Sequence, residues 1–256
     1  MPFTIAHAAA ALPLRKLNLV WSAFVIGSFA PDFPYIVGNI RYRGLGHNMP
    51  GVLLFTLPAS LAALWLFHVA LKRPAAGLFP AGWQERLYPY LGAFRFGGLY
   101  RFAAILFSLA LGIVLHLLWD SFTHPFTVPW RHSHWLQSWI SVPRLGLTPM
   151  YRVLQYVSTV AGLLALTIWA LLWYRNTPPH RASTPPHSRV WLAVFIFLVA
   201  GIIGAVRGWV IFHTVAGLKS EDGFMLAFSV TSLAVAFWSL FAYCLLVTAG
   251  LISTSR

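Results

Sequence analysis

Residues 100–126, "YRFAAILFSLALGIVLHLLWDSFTHPF", join a long apolar run to a polar end. The run before Asp120 is long enough to cross a bilayer as a helix. His116, Asp120 and His124 follow one another at intervals of four residues, so a helix would place them on one face. A carboxylate near the end of a membrane helix is costly, which makes Asp120 a candidate functional residue whose partner must be found.

The rest of the chain has a similar composition. Of its 256 residues, 59% are hydrophobic and 9% are charged, whereas about 25% are charged in soluble domains. The sequence therefore predicts an all-α, polytopic membrane helical bundle. Five apolar segments are long enough to span the membrane, at about 51–71, 100–119, 152–174, 190–213 and 225–252.

The first fifty residues predict short helices at about 4–15 and 18–29. "LNLVWSAFVIGSFA" is apolar for only 14 residues before Pro31, so we expect the second helix to enter the membrane without crossing it. A secretory signal peptide is the alternative, because Arg15 and Lys16 precede the run. If the first fifty residues do not cross the membrane, they lie on the same side of it as the loops 120–151 and 214–224.

We expect one membrane domain over residues 1–256. Residues 1–150 would hold the functional site, residues 151–256 would add further spans, and the Pro- and Arg-rich stretch 175–189 would be a flexible linker. The lone Cys244 excludes an intrachain disulfide. The net charge of +13 suits lipid headgroups as partners. No nucleic-acid-binding motif accompanies the charge, so nucleic acid is not expected as a partner.

Several histidines and acids could hold a metal ion. Two imidazoles and a carboxylate at the spacing of His116, Asp120 and His124 suit zinc or another divalent metal, although a hydrogen-bonded His–Asp pair is the alternative. In "APDFPY", residues 30–35, the two prolines would form a rigid, non-helical turn that aims the carboxylate of Asp32. The alternative there is a solvated aspartate that ends a helix.

Two isolated histidines lie in segments on the same expected side. His7 follows Thr4, which could cap a short helix, and His47 lies in "RGLGHNMPG" just before a span. His132 and His134 are further possible ligands or proton carriers. The candidate metal ligands are thus His7, Asp32, His47, His116, Asp120 and His124. They would hold one or two divalent ions, with zinc favoured over manganese or iron.

Four segments together resemble an uncharacterised family of bacterial membrane proteins. They are "MPFTIAHAAAALPL", "GSFAPDFPY", "GHNMPGVLLF" and "HLLWDSFTHPF". That family resembles the YdjM-type inner-membrane metal-dependent hydrolases and, more distantly, the zinc-dependent phospholipases C. The resemblance implies that His7, Asp32, His47, His116 and Asp120 are metal ligands and that the protein lies in a bacterial inner membrane. The chain departs from the YdjM-like pattern in carrying Pro34 or Tyr35 where a second acid is expected.

The expected function is a membrane-embedded metal-dependent hydrolase of a lipid or lipid-linked ester, with a phosphodiester favoured. Asp120 and His124 would be catalytic, with His124 moving the proton. Arg131 and Arg207 would hold an anionic headgroup. The alternative for Arg207 is that its side chain extends to the membrane interface and places its charge in water. The alternative is a non-catalytic protein, either a metal-binding scaffold or a pathway for ions or protons.

Overall fold

The computed structural model describes residues 4–14, 16–143, 146–180, 188–215 and 221–252. Helices predominate in this part of the chain, and its strands form only a short two-stranded sheet. The predicted all-α bundle is therefore confirmed. In chain order the elements are α1 (Trp21–Phe29), α2 (Phe33–Ile36), α3 (Met49–Ala76), α4 (Ala81–Leu87), α5 (Leu99–Thr123), α6 (Val128–His132), α7 (His134–Gln137), β1 (Trp139–Val142), β2 (Gly146–Pro149), α8 (Met150–Asn176), α9 (Val190–Thr214) and α10 (Glu221–Thr248).

Five of the described helices, α3, α5, α8, α9 and α10, are long and apolar enough to cross a membrane. The chain is accordingly a multi-pass integral membrane protein. The ends of these helices lie within about five residues of the ends of the predicted spans. Helix α3 contains two π-helical turns, at Val52–Thr56 and at Phe67–Leu71, and the second shortly precedes Pro74. Proline clashes with the carbonyl four residues earlier, and a wider turn relieves that clash.

The chain before α3 forms a helical hairpin. A 3-10 helix at Thr4–Leu14 packs against α8, and α1 returns in the opposite sense packed against α5. The ends of the hairpin meet, because the Thr4 hydroxyl donates a hydrogen bond to the Asp32 carboxylate at 2.7 Å. We call residues 4–32 the N-terminal hairpin. Two short helices were predicted here, and the first is a 3-10 helix instead of an α-helix.

The N-terminal hairpin extends far along α5. The backbone N–H of Val20, just before α1, donates to the Ser108 hydroxyl oxygen at 3.0 Å. Ser108 precedes Asp120 by twelve residues, which is about 18 Å along a helix axis. The hairpin therefore runs beside a membrane-spanning helix for more than half of a hydrocarbon core of roughly 30 Å, as expected of a re-entrant segment.

Two glycines set the crossing of α1 and α5. A Cβ atom at Gly27 would lie 2.3 Å from the Leu109 carbonyl oxygen, and one at Gly112 would lie 2.3 Å from the Phe24 carbonyl oxygen. Neither position has room for a side chain, so the two backbones touch. Small residues allow such close approach between helices in a membrane, where dispersion contacts replace the hydrophobic effect as the driving force.

The described residues fall into two compact units. The first contains the N-terminal hairpin, the beginning of α3, α5 to α8 and the two strands, and it covers the stretches 1–32, 44–64 and 96–176. The second covers the stretches 33–43, 65–95 and 177–256, including α9 and α10. The prediction of a single domain over the whole chain stays a prediction.

In the second unit, α9 packs closely against α10. Ala200, Gly204 and Gly208 recur every four residues of α9 and are buried. A Cβ atom at Gly204 would lie 2.8 Å from the Phe228 carbonyl oxygen of α10. This is the small-residue spacing that brings two membrane helices into backbone contact.

Two predicted loops are only partly described. Residues 181–187 of the predicted linker 175–189, and residues 216–220 of the predicted loop 214–224, lie outside the described residues. At the described end of the linker, the Ser188 hydroxyl donates to the Phe79 carbonyl at 2.8 Å. The loop 120–151 contains α6, α7 and the antiparallel strands β1 and β2, which were not predicted.

The glycine crossing makes a prediction for stability. Gly112→Ala should lower the free energy of unfolding by about 1–3 kcal/mol, because the new methyl group collides with backbone that cannot move aside. Thermal unfolding in detergent measures this effect. Gly201→Ala in α9 is the matched control, since no atom lies within 4 Å of a Cβ atom there. A Gly112→Ala protein at least as stable as the Gly201→Ala control would contradict the proposed crossing.

Candidate metal centre

Helix α5 carries the centre of the site near its C-terminal end. His116 and Asp120 lie one turn apart and are buried, with the His116 Nε2 atom 3.4 Å from the Asp120 Oδ2 atom. His124 is the residue that follows α5, and its backbone is extended, with φ −125° and ψ 146°. The proline at 125 disfavours helical geometry at His124 and so ends the helix there, as the sequence predicts.

The orientation of His116 is set by α1. Its Nδ1 atom lies 2.8 Å from the Ser28 carbonyl oxygen. A carbonyl oxygen only accepts, so Nδ1 must carry the proton and donate it. Gly112, one turn before His116, makes this contact possible by allowing α1 to approach. In its neutral form the His116 ring would therefore present an unprotonated Nε2 atom to Asp120.

The N-terminal hairpin contributes two more groups at its open end. Thr4 and His7 are three residues apart in a 3-10 helix, and residues at that spacing lie on one face. His7 stacks on His116, with ring centroids 3.9 Å apart, and its Nε2 atom lies 3.4 Å from the Asp120 Oδ1 atom. Asp32 is fully buried, with its Oδ1 atom 3.8 Å from the His116 Nε2 atom.

Two expectations for this region were wrong. Asp32 is not in a non-helical turn, because Ala30–Asp32 form a 3-10 turn that continues into α2. Proline is compatible with the first turn of a helix, where its missing N–H is not needed. The alternative of a solvated Asp32 is excluded by its burial. Thr4 is the second correction: its hydroxyl donates to Asp32, and no capping hydrogen bond from it is seen in the described part of the chain.

His47 approaches from the segment that precedes α3. It ends a 3-10 helix at Ile40–His47, and its Nε2 atom lies 3.4 Å from the Asp120 Oδ2 atom. The neighbouring Gly46 packs directly on the backbone of Pro31, where a Cβ atom would lie 2.1 Å from the carbonyl oxygen. The close contact of Gly46 with Pro31 thus brings His47 and Asp32 to the same site.

Asp120 is the centre of this cluster. Its carboxylate faces three Nε2 atoms at 3.4 Å, from His7, His47 and His116. Ordinary N–H···O hydrogen bonds are about 2.7–3.2 Å long, so these separations are longer than good direct hydrogen bonds. Both carboxylate oxygens of Asp120 therefore face imidazole nitrogen atoms at distances longer than a good hydrogen bond.

Four buried atoms of the cluster have no hydrogen-bond partner among the described residues. They are His7 Nε2, Asp32 Oδ1, His116 Nε2 and Asp120 Oδ1. Such atoms are costly to bury unless something satisfies them. The ion-pair contacts of the two carboxylates are all with histidines, and no lysine or arginine of the described residues reaches either of them.

The electrostatics favour a cation at this position. Burial lowers the pKa of His7 to about 3, and the neighbouring His116 adds to that effect, so the His7 ring is neutral at pH 7. Burial also raises the pKa of the Asp32 carboxyl, although His116 opposes the change. A bound divalent cation would compensate both carboxylates and would accept the lone pairs of the neutral imidazoles.

The separations between the ligand atoms fit metal coordination. His7, Asp32 and His116 form one set of three and His47, His116 and Asp120 another, and within each set the ligand atoms lie within 4.8 Å of one another. Ligands of a tetrahedral zinc ion lie about 3.3 Å apart, since Zn–N and Zn–O bonds are about 2.0–2.1 Å. The 3.4 Å separations around Asp120 match that value. The two sets share His116, whose Nε2 atom can bind one ion only, so the donors suit one ion, or a second one held by the remaining ligands.

His124 lies beside the cluster without joining either set. Its Nδ1 atom is 3.1 Å from the Asp120 backbone carbonyl oxygen, to which it must donate, and 3.7 Å from the Asp120 Oδ1 atom. Its Nε2 atom is therefore the free acceptor. His47 and His124 have side chains that are 30% and 31% exposed, so they border the open side of the site.

The remaining candidate residues lie apart from these contacts. Arg131 is exposed on α6, and within the described part of the chain its side chain makes no contact with the cluster. Arg207 is exposed on α9, in the second unit. His132 is exposed and bonds the Val128 carbonyl of its own helix at 2.9 Å. His134 is also exposed.

Two contributors to the site were not predicted from the sequence. Thr4 bonds the Asp32 carboxylate, and the Ser28 carbonyl fixes the His116 tautomer. The spacing of Thr4 and His7 was a usable signal for the first. No side-chain pattern marks the second, because the contact is made by a backbone oxygen.

Metal content tests the cluster directly. Purified wild-type protein should carry about one or two equivalents of divalent metal. His116→Ala and Asp120→Ala should lose it, because His116 belongs to both ligand sets and Asp120 is the central carboxylate of the cluster. Inductively coupled plasma mass spectrometry on protein in detergent gives the stoichiometry. His132→Ala is the control and should retain the metal. Folded wild-type protein that stays metal-free after incubation with zinc, manganese or iron would rule the metal centre out.

Thr4 provides a second test. Thr4→Val should weaken zinc affinity about 10- to 100-fold, because groups that orient a metal ligand have effects of that size. Thr4→Ser keeps the hydroxyl and should bind zinc nearly as tightly as the wild type. Competition with a fluorescent chelator measures both affinities, and thermal unfolding verifies that both variants are folded. Equal affinities in the two variants would show that the hydroxyl does not orient Asp32.

Comparison with known proteins identifies a family but does not indicate an activity. No curated protein and no solved structure matches the chain. The model of one protein family matches residues 1–250, which is nearly the whole chain, including every residue of the cluster. The chain therefore belongs to the family described as Domain of unknown function (DUF4184).

Proposed function

We propose that the protein is a membrane-embedded hydrolase that uses a divalent metal to cleave a lipid or lipid-linked phosphoester. Zinc is the favoured metal. The observation that carries the proposal is the orientation of His116. Its Nδ1–H is committed to the Ser28 carbonyl, so in its neutral form the ring turns the Nε2 lone pair toward the Asp120 carboxylate. Two acceptors at 3.4 Å repel each other unless a cation lies between them. A proton on Nε2 is the other cation that would satisfy this geometry, and metal content distinguishes the two.

The residues of the site have separate roles in this proposal. A bound divalent ion lowers the pKa of a water molecule to about 7 and polarises a phosphoryl oxygen. His7, Asp32, His47, His116 and Asp120 would hold the metal, and Asp120 would also orient the neighbouring rings. His124 has its free Nε2 atom at the open side of the site, where it can accept a proton from water and return it to the leaving group.

The position of the cluster supports a lipid substrate. Asp120 lies in the last turn of a membrane-spanning helix, which is where lipid headgroups are found. The segment after α5 exposes Phe126, Trp135 and Trp139. Aromatic side chains are enriched at membrane interfaces because their rings suit the boundary between water and hydrocarbon. A site at this level can be reached by the ester groups of a lipid without removing the lipid from the bilayer.

The resemblance to YdjM-type hydrolases and to zinc-dependent phospholipases C supports the same chemistry. It assigns metal binding to His7, Asp32, His47, His116 and Asp120, and these five side chains lie together in the first unit. It also favours a bacterial inner membrane as the location. The missing second acid near Asp32 is a departure from the YdjM pattern, and it favours one strongly held ion over two.

Substrate-binding roles for Arg131 and Arg207 remain part of the proposal. Arg131 belongs to the same unit as the cluster and is exposed on the segment that follows it. A guanidinium there could bind a lipid phosphate through two parallel hydrogen bonds. Arg207 lies in the other unit, so its assignment depends on the sequence argument alone.

Hydrolysis of defined substrates tests the proposal. Metal-loaded protein should cleave a chromogenic phosphodiester and phosphatidylglycerol in mixed micelles, EDTA should abolish the activity, and added zinc should restore it. His124→Gln should lower kcat by about 10²–10⁴-fold, because it removes the proton acceptor, while it leaves the metal content unchanged. His132→Gln is the matched control with unchanged kcat.

The alternative functions give different results. Metal-loaded wild-type protein that hydrolyses neither phosphodiesters nor carboxylic esters would be a metal-binding scaffold, and the hydrolase proposal would fail. Proton or metal flux into liposomes that is lost in Asp120→Asn would instead indicate a transport pathway. These outcomes can be told apart with the same purified protein.

A further inference from the structure

A groove in the first unit lies along the N-terminal hairpin, away from the metal ligands. It has a volume of about 550 Å³ and lies between the 3-10 helix and α8. Ligand pockets commonly have volumes of about 300–1,000 Å³. Its walls are formed by Leu12, Pro13, Lys16, Ala165, Ile168, Trp169 and Leu172.

The groove is apolar apart from one charged group. Its helix α8 wall is made of aliphatic and aromatic side chains from a helix long and apolar enough to cross a membrane, which suits contact with lipid acyl chains. Lys16 is the one charged residue in its lining, and it is exposed. A long apolar trough with a cation in its wall has the chemistry of a lipid with an anionic headgroup.

The charge on Lys16 has no protein counterpart in the described residues. The whole chain has five acids, of which Asp32 and Asp120 belong to the cluster. None of the five lines the groove, and Lys16 forms no ion pair with any described residue. A lysine near a membrane surface gains about 1 kcal/mol from an anionic lipid. Trp169 offers an amphipathic ring beside it.

The position of the groove separates it from the cluster. Ala6 of the 3-10 helix contacts Gly162 of α8, and the groove begins three residues further along α8. Leu172 lies ten residues beyond Gly162, about 15 Å along the helix axis. His7 and the groove residues Leu12 and Pro13 therefore belong to opposite parts of one short helix.

We infer that this groove binds a phospholipid with an anionic headgroup, whose acyl chain lies along α8 and whose phosphate contacts Lys16. The bound lipid acts as a fixed structural lipid of the N-terminal hairpin. It covers the apolar side of the 3-10 helix that carries His7, and so it holds that helix against α8. The inference does not depend on the metal or on hydrolysis at the cluster.

Lipid binding to delipidated protein tests the inference. Native mass spectrometry in detergent should show one phosphatidylglycerol bound to the wild type at low lipid concentration, with phosphatidylcholine bound at least fivefold more weakly. Lys16→Gln should remove that preference, because about 1 kcal/mol corresponds to roughly a fivefold change in affinity. Arg41→Gln, at another exposed cation, is the charge-matched control and should keep the preference.

The apolar part of the groove needs its own variant. Ala165→Phe projects a ring into the groove and should reduce binding of both lipids, whereas Leu164→Phe lies next to it on the exposed side of α8 and should not. Inorganic phosphate should not compete at millimolar concentration, which separates a lipid site from a simple anion site. Equal binding of both lipids to the wild type and to Lys16→Gln would reduce the groove to nonspecific lipid contact and overturn the inference.

Discussion

The hydrogen bond from His116 to the Ser28 carbonyl is the contact on which the rest of the site depends. It needs α1 and α5 to touch, and they touch because Gly27 and Gly112 leave no side chain between them. It also determines which nitrogen of His116 faces Asp120. A slight separation of the two helices would leave the ring free to rotate, and the convergence of ligands around Asp120 would be lost. Gly27 and Gly112 therefore determine both the packing of α1 on α5 and the nitrogen atom that His116 turns toward Asp120.

The cluster explains why a chain so poor in acids buries two of them. Asp32 and Asp120 come from segments far apart in sequence, and each is surrounded by imidazoles instead of lysines or arginines. Histidines can be buried without charge, so they add ligand atoms without adding repulsion to a bound cation. The Thr4 hydroxyl closes the hairpin and orients Asp32 in one contact. The contact between Thr4 and Asp32 thus both closes the N-terminal hairpin and shapes the site.

The sequence was informative where a single chemical property decides the structure. The five spans follow from apolar length, and the pairing of His116 with Asp120 follows from helical spacing. The expectation that residues 1–50 do not cross the membrane put His7, Asp32 and His47 on the same side as Asp120, and these side chains do lie together. The tautomer of His116, the role of Thr4 and the strands β1 and β2 were not predicted. The tautomer depends on a contact between α1 and α5 that no local pattern encodes, whereas the spacing of Thr4 and His7 was a signal that could have been used. The burial of Asp32 was also missed, since the prolines around it suit an exposed turn equally well.

The N-terminal hairpin has a consequence for how the protein is made. Its α1 arm completes its contact only with a helix that follows it by 88 residues. At a synthesis rate of about 5–20 residues per second, that helix emerges roughly 4–18 s later. During this interval the hairpin has neither of the glycine contacts that hold it beside α5, and Asp32 has no imidazole from α5 beside it. The hairpin cannot complete its packing until α5 has been inserted. We therefore expect the N-terminal hairpin to reach its final position late in assembly, after a helix that comes later in the sequence.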